Sequence, residues 1–145
     1  MITVRIQTDD FNSGAELALI EDGVGAVSSF TGIVRGQGGL ISLTLEHYPA
    51  MTEQVLAALA DEAATRWSLA HVTLIHRVGP LYPSDRIVFV ATASAHRAAA
   101  LESCAFLIDS LKTDAPFWKK ESFADGRETW VDARESDAHA ADRWR

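Results

Sequence analysis

Leu111-Lys112-Thr113-Asp114-Ala115-Pro116-Phe117-Trp118-Lys119-Lys120-Glu121 is the stretch on which this chain turns. A long amphipathic helix runs into it and an aromatic strand leaves it. Pro116 forbids the helix to continue, since proline has no N–H to donate and its ring clashes with the preceding turn. Three lysines fall within nine positions here, next to Phe117 and Trp118. An ammonium crowded by other cations and apolar walls loses part of the stabilisation of its charged form. Its pKa falls, and it becomes usable as an acid or base near neutral pH. Cations at a helix C-terminus also suit the helix dipole. That accounts for Lys112 but poorly for Lys119, which lies beyond the proline.

Upstream, Ser94 is a suitable N-cap for the helix that ends in this stretch, with Leu101, Cys104, Ala105, Ile108 and Leu111 as its inward stripe. Two strands precede it, His71 to Val78 and Arg86 to Ser94, and Gly79 to Asp85 has the composition of a tight connection. Val88-Phe89-Val90-Ala91 is apolar on both faces, which predicts a central strand. Earlier, Asn12 or Ser13 caps a short helix to about Glu21, and Ala26 to Val34 is a strand whose Gly32 points to close backbone approach. Ile41 to Tyr48 alternates like a half-buried strand, Pro49 stops it, and a helix from about Thr52 to Trp67 follows. Downstream, Phe117 to Ser122 and Glu128 to Ala133 form a hairpin around Ala124-Asp125-Gly126. The charged tail from Arg134 to Arg145 has only Trp144 to anchor it.

The chain has 145 residues, enough for one domain with an ordinary core, 48% of them apolar, and its mean hydropathy is near zero. No apolar run reaches membrane-spanning length, and the first residues alternate like a strand rather than a signal peptide. A single cysteine excludes an internal disulfide and fits a reducing compartment, so the cytoplasm is expected. The net charge of −7 argues against general nucleic-acid binding. Arg35, Arg77, Arg97, Lys112, Lys119 and Lys120 nevertheless fall between acidic ends, and a basic pocket in an acidic protein suits a small anion better than a polymer.

Other motifs narrow the chemistry. The glycines of Arg35-Gly36-Gln37-Gly38-Gly39 are followed by a strand rather than a helix, so the dinucleotide fingerprint fails. His71 and His76 point to opposite faces of one strand, and His47 and His139 have no ligand-type partner in the local pattern; no metal site is expected. No Gly-x-Ser-x-Gly elbow occurs. Cys104 reads as a small core residue. His96-Arg97 opens the helix after a buried strand, where free backbone N–H groups and the positive dipole end favour an anion.

Several separated blocks together resemble the catalytic (large) subunit family of molybdopterin synthase. They are Phe30-Thr31-Gly32 with Val34-Arg35, Leu45-Glu46-His47-Tyr48-Pro49 with Met51, Ile75-His76-Arg77-Val78-Gly79, Ser94-Ala95-His96-Arg97, the lysine stretch itself and Trp130-Val131. The resemblance covers nearly the whole chain. It implies one α+β domain over residues 1–145, of α/β-hammerhead type, with an additional antiparallel β hairpin near the C-terminus. It also implies a sulfurtransferase that installs the two dithiolene sulfurs of molybdopterin on cyclic pyranopterin monophosphate. Sulfur would arrive as a thiocarboxylate on the C-terminal Gly-Gly tail of a small ubiquitin-like carrier subunit, with no cofactor and no metal of the enzyme's own. By the motifs, Lys112 and Lys119 are the catalytic lysines. Ile33, Val34, Arg35, His96, Arg97, Lys112, Lys119, Lys120 and Glu121 are the substrate-contacting positions. The family forms a homodimer with a small subunit at each end, a heterotetramer. Two departures touch loop shape: the Gly36–Gly39 loop is shorter than the family often has, and Ser84 stands where a glycine after proline is usual.

The residue types suit this chemistry in their own right. A pterin phosphate is an anion and the pocket candidates are cations, while adding sulfur and opening a cyclic phosphate both need proton transfers that a lysine can supply. The competing class is a non-catalytic α+β module that binds a small anion and regulates another protein. It shares the anion site but requires Lys119 for nothing beyond affinity.

Overall fold

In the computed structural model, which describes residues 1–131 and 135–145, the chain folds as α+β around two four-stranded sheets. The elements are β1 (Ile2–Gln7), α1 (Ser13–Ala18), β2 (Ala26–Ile33), β3 (Leu40–His47), α2 (Pro49–Trp67), β4 (His71–Arg77), β5 (Gly79–Leu81), β6 (Arg86–Ser94), α3 (Arg97–Thr113), β7 (Phe117–Phe123), β8 (Glu128–Trp130) and α4 (Glu135–Asp142). The first sheet has the order β1-β4-β6-β2 and the second β5-β3-β7-β8. Among the described residues only the β1–β4 pair is parallel. Val78 alone separates β4 from β5, so one nearly continuous extended segment passes from the first sheet to the second.

β6 lies between β4 and β2, as its two-faced apolarity predicts. Val88 and Val90 face the main core with Val72 and Leu74 of β4, against Leu56, Leu59 and Ala63 of α2 and Cys104, Phe106 and Leu107 of α3. Phe89, Ala91 and Ala93 face the other way, onto Phe11 and Ile20 around α1. Successive side chains of a strand alternate between faces, so a strand buried on both sides must be apolar throughout. Gly32 meets β6 at a register shift, where an added Cβ would lie 2.7 Å from Val88 Cγ1. This is the close approach expected of it.

Several boundaries differ from expectation for identifiable reasons. Pro49 begins α2 rather than merely ending β3, because the first helical position needs no N–H and accepts proline's fixed φ. The N-cap of α3 is His96, not Ser94, although the Ser94 hydroxyl accepts from His96 N at 3.4 Å. The buried stripe of α3 is accordingly Ala100, Ser103, Cys104, Phe106, Leu107 and Ser110, and Leu101 is exposed. The Gly79–Asp85 connection contains the short strand β5, which pairs with β3. The hairpin forms between β7 and β8; its expected last residues, Asp132 and Ala133, lie outside the described residues. The tail contains α4, and Trp144 does anchor it, edge-on to Trp67 and Phe106 with its Nε1 donating to Asp109 at 2.7 Å. Among the described residues no helix is long and apolar enough to cross a membrane.

Candidate active site

The end of α3 and the start of β7 bring Lys112 and Lys119 to the same place. They line two adjoining cavities of about 390 Å³ and 250 Å³, both bordered by Ile33, Ile87, Ala115 and Phe117. The larger one is also walled by Val34, Arg35 and Glu121, and by Val131 and Asp137 beyond β8. The smaller runs inward between β2 and α3, past Phe30, Ile108 and Leu111, to His76. Lys112 is exposed and Lys119 half-buried.

Local geometry explains this convergence. α3 runs to Thr113, and the chain enters β7 four residues later. Alternation along β7 then sends Phe117, Lys119 and Glu121 to one face and Trp118 and Lys120 to the other. Lys119 stands opposite Leu45, which with Val34 and Leu81 forms a small separate core. The Ile33–Arg35 segment is held against the β5–β6 turn, where Val34 N donates to Asp85 O and Ser84 N donates to Val34 O, each at 2.9 Å.

Of the positions expected to contact substrate, the cavities therefore gather Ile33, Val34, Arg35, Lys112, Lys119 and Glu121. Lys120 is turned to the opposite face, near Glu128 at 3.8 Å and over the Trp130 ring at 5.9 Å. Strand alternation, applied to the Lys119–Glu121 run, separates it from its neighbours. His96 and Arg97 are exposed at the far end of α3 and line neither cavity of their own chain. Arg77 is a strut rather than a pocket cation: its guanidinium donates to the carbonyls of Thr8 and Arg86. Cys104 is buried, which pushes its thiol pKa up, and a bond with Ser28 opposes that only in part.

In the sequence His76 figures only as a rejected metal ligand and within a family block, not as a member of this site. It follows Val72 and Leu74 on the helix-facing side of β4, and its ring is stacked on Phe117 with centroids 3.9 Å apart and an interplanar angle of 17°. Burial holds its imidazole down to about 4, against the raising effect of the Arg77 carbonyl and with a further push from the charges of Lys119 and Lys112. The signal available was its register: a histidine two residues beyond two core positions of a buried strand. Among the described residues no group of three or more His, Cys, Asp or Glu side chains could hold a metal ion.

A small α+β protein with a lysine pair between an arginine loop and an aromatic wall is the class defined by this fold and site. Residues 6–114 match the model of the family described as MoaE protein, and the chain belongs to that family. It is 52% identical to a molybdopterin synthase catalytic subunit from Mesorhizobium japonicum, over 99% of this chain and 93% of that protein. The MoaE protein structure from Burkholderia ambifaria superposes with a TM-score of 0.86 at 50% identity, covering 99% of this chain and 98% of the other. The fold alone is shared with a chain in a complex of subunits 1 and 2 of molybdopterin-converting factor from Helicobacter pylori. There the TM-score is 0.72 at 19% identity, over 92% of this chain and 90% of that one.

Proposed function

We propose that the chain, as one large-subunit domain over residues 1–145, is the catalytic subunit of a molybdopterin synthase. It transfers sulfur from the C-terminal thiocarboxylate of a small carrier subunit to cyclic pyranopterin monophosphate. The observation that carries this reading is the meeting of Lys112 and Lys119, from separate elements, on the walls of both cavities. In each transfer the sulfur of the thiocarboxylate bonds to a pterin side-chain carbon as a C–O bond at that carbon breaks, the oxygen departing on the opened cyclic phosphate in one transfer and as water in the other. Water then cleaves the acyl–sulfur bond, leaving a carboxylate on the carrier and a thiol on the pterin. Lys119 serves as the acid–base group for these steps, and Lys112 and Arg35 stabilise the acyl and phosphate oxygens. A Gly-Gly tail suits the smaller cavity, because it has no side chains to exclude. The buried Cys104 is not needed as a sulfur donor.

The same reading assigns the second binding segment to a second copy of the chain. His96 and Lys112 are separated by the length of α3, roughly 24 Å at 1.5 Å per residue, longer than a pterin phosphate. A two-fold homodimer can place the helix start of one protomer against the helix end of its partner, with a small subunit at each end. The site of action is the cytoplasm. The direct test is to incubate the protein with cyclic pyranopterin monophosphate and a thiocarboxylated small subunit and to assay dithiolene product. Binding of the pterin without product would instead support the non-catalytic module.

A further inference from the structure

His76 belongs to the first sheet, yet its ring is packed face to face on Phe117 of the second. It is only 7% exposed, and it lines the smaller cavity. Among the described residues the ring makes one hydrogen bond, in which Nδ1 lies 2.8 Å from the Arg77 carbonyl oxygen. A carbonyl only accepts, so Nδ1 carries the hydrogen of the neutral ring and Nε2 keeps the lone pair. No described group donates to that lone pair. Nor is it walled off, since Thr52 Oγ1 is the one fully enclosed side-chain polar atom without a partner among the described residues. Nε2 therefore opens on the smaller cavity as a neutral acceptor, aimed by the Phe117 stack and by the bond at Nδ1.

A buried acceptor without a partner costs free energy that a donor ligand recovers. The surroundings narrow the chemistry of that donor. The charges of Lys119 and Lys112 oppose a second proton on the ring, and they would oppose a cationic ligand there equally. Phe30, Ile108 and Leu111 make the wall apolar, and an amide N–H buried among them must find an acceptor. Ammonium groups cannot provide one, because they only donate. The Thr31 hydroxyl is the other side-chain acceptor of this cavity, but it rotates and imposes no direction. We propose that His76 Nε2 accepts a hydrogen bond from the amide N–H of the carrier's terminal glycine, and so sets the depth and facing of the thiocarboxylate offered to the lysine pair. The inference rests on the preceding reading of a Gly-Gly tail in the smaller cavity. That N–H is two bonds from the acyl carbon, so one short segment can meet His76 with its amide and the lysines with its acyl end.

The test uses the wild-type protein and a semisynthetic small subunit whose last amide is replaced by an ester. The ester keeps the length and shape of the tail but lacks the N–H. When the natural tail binds in its carboxylate form, the nitrogen NMR signal of His76 Nε2 should move toward its protonated position. With the ester tail it should stay, and binding should weaken about ten- to a hundredfold, the range for leaving a buried acceptor unpaired. His76→Phe keeps a flat ring against Phe117 but has no acceptor. It should bind the natural tail more weakly by a similar factor, raise KM for the thiocarboxylated carrier but not for the pterin, and be indifferent to the ester. An Nε2 signal unmoved by the bound natural tail, or moved by the pterin alone, overturns the proposal whether or not the variant folds. An ester penalty that persists in folded His76→Phe overturns it as well. Failure of wild type to form dithiolene product from the natural thiocarboxylated carrier would sink the underlying reading instead.

Discussion

Lys119 and Leu45 face each other across the β3–β7 ladder, so a fully packed residue of the small core stands beside the amine proposed to do the chemistry. The backbone under Lys119 is therefore rigid, while its side chain leads into the cavity. Lys119→Ala should leave the fold intact and reduce turnover by about a hundredfold to ten-thousandfold, the usual scale for a positioned acid–base group. Lys120→Ala removes a neighbour on the opposite face and an ion pair of the half-exposed kind that contributes about 0–1 kcal/mol. Its turnover should stay within about threefold of wild type. Steady-state kinetics on the two folded variants checks the contrast, and equal losses would mean that β7 alternation does not decide which lysine matters.

His76 also makes stability depend on pH. Its imidazole has a folded pKa of about 4 against an ordinary 6.5. Between these values the unfolded chain holds a proton that the folded chain does not, so stability is fully present above about 6.5 and is lost as pH falls toward 4. The whole window corresponds to about 3 kcal/mol. Urea unfolding of wild type and His76→Phe at pH 7.5 and pH 4.5 should show a shallower decline in the variant. Parallel declines would mean that other groups control acid sensitivity.

Ser84 adopts φ of +76°, in the left-handed region, at the turn whose backbone holds Val34. A non-glycine residue there carries a penalty of about 1–2 kcal/mol, offset in part by the greater backbone freedom a glycine loses on folding. Ser84→Gly should therefore stabilise the protein by about 0.5–1 kcal/mol. An upward shift of the urea midpoint with an unchanged m-value is the expected readout, and a downward shift would assign Ser84 a stabilising side-chain contact.

A site shared between two protomers predicts complementation. Arg97→Ala and Lys119→Ala proteins, each inactive alone, should regain a fraction of wild-type activity when mixed under conditions of subunit exchange, since each mixed dimer rebuilds one intact pocket. Mass spectrometry of labelled chains establishes the exchange. No recovery despite exchange would mean that each pocket is built from one chain.

Much of this architecture was legible before any coordinates, and the reasons can be traced to particular residues. Asn12 caps α1 through its side chain, accepting from Ala15 N at 3.0 Å, because capping is local chemistry. The two-faced apolarity of β6 and the break at Pro116 are likewise properties of neighbours in sequence. β5 was missed because Gly-Pro-Leu carries no strand signal of its own and pairs only because β3 is there. α4 was missed because its stability comes from Trp144 and Asp109 contacts made at long range. Within the site, Lys112, Lys119 and Arg35 were recognisable from motif and charge, whereas His76 depends on Phe117 arriving from another sheet. No local pattern encodes that stack.

Val78, the lone residue between β4 and β5, binds the two sheets like leaves along a spine. The leaf that carries His76 supplies no lysine, and the leaf that carries Lys119 supplies little of the main core. Wear on the far leaf, such as a loosened β1–β4 pairing, would travel along the spine to Phe117 and disturb the amine behind it. The precision of the chemistry thus depends on masonry remote from it, and turnover would register damage there well before the protein came apart.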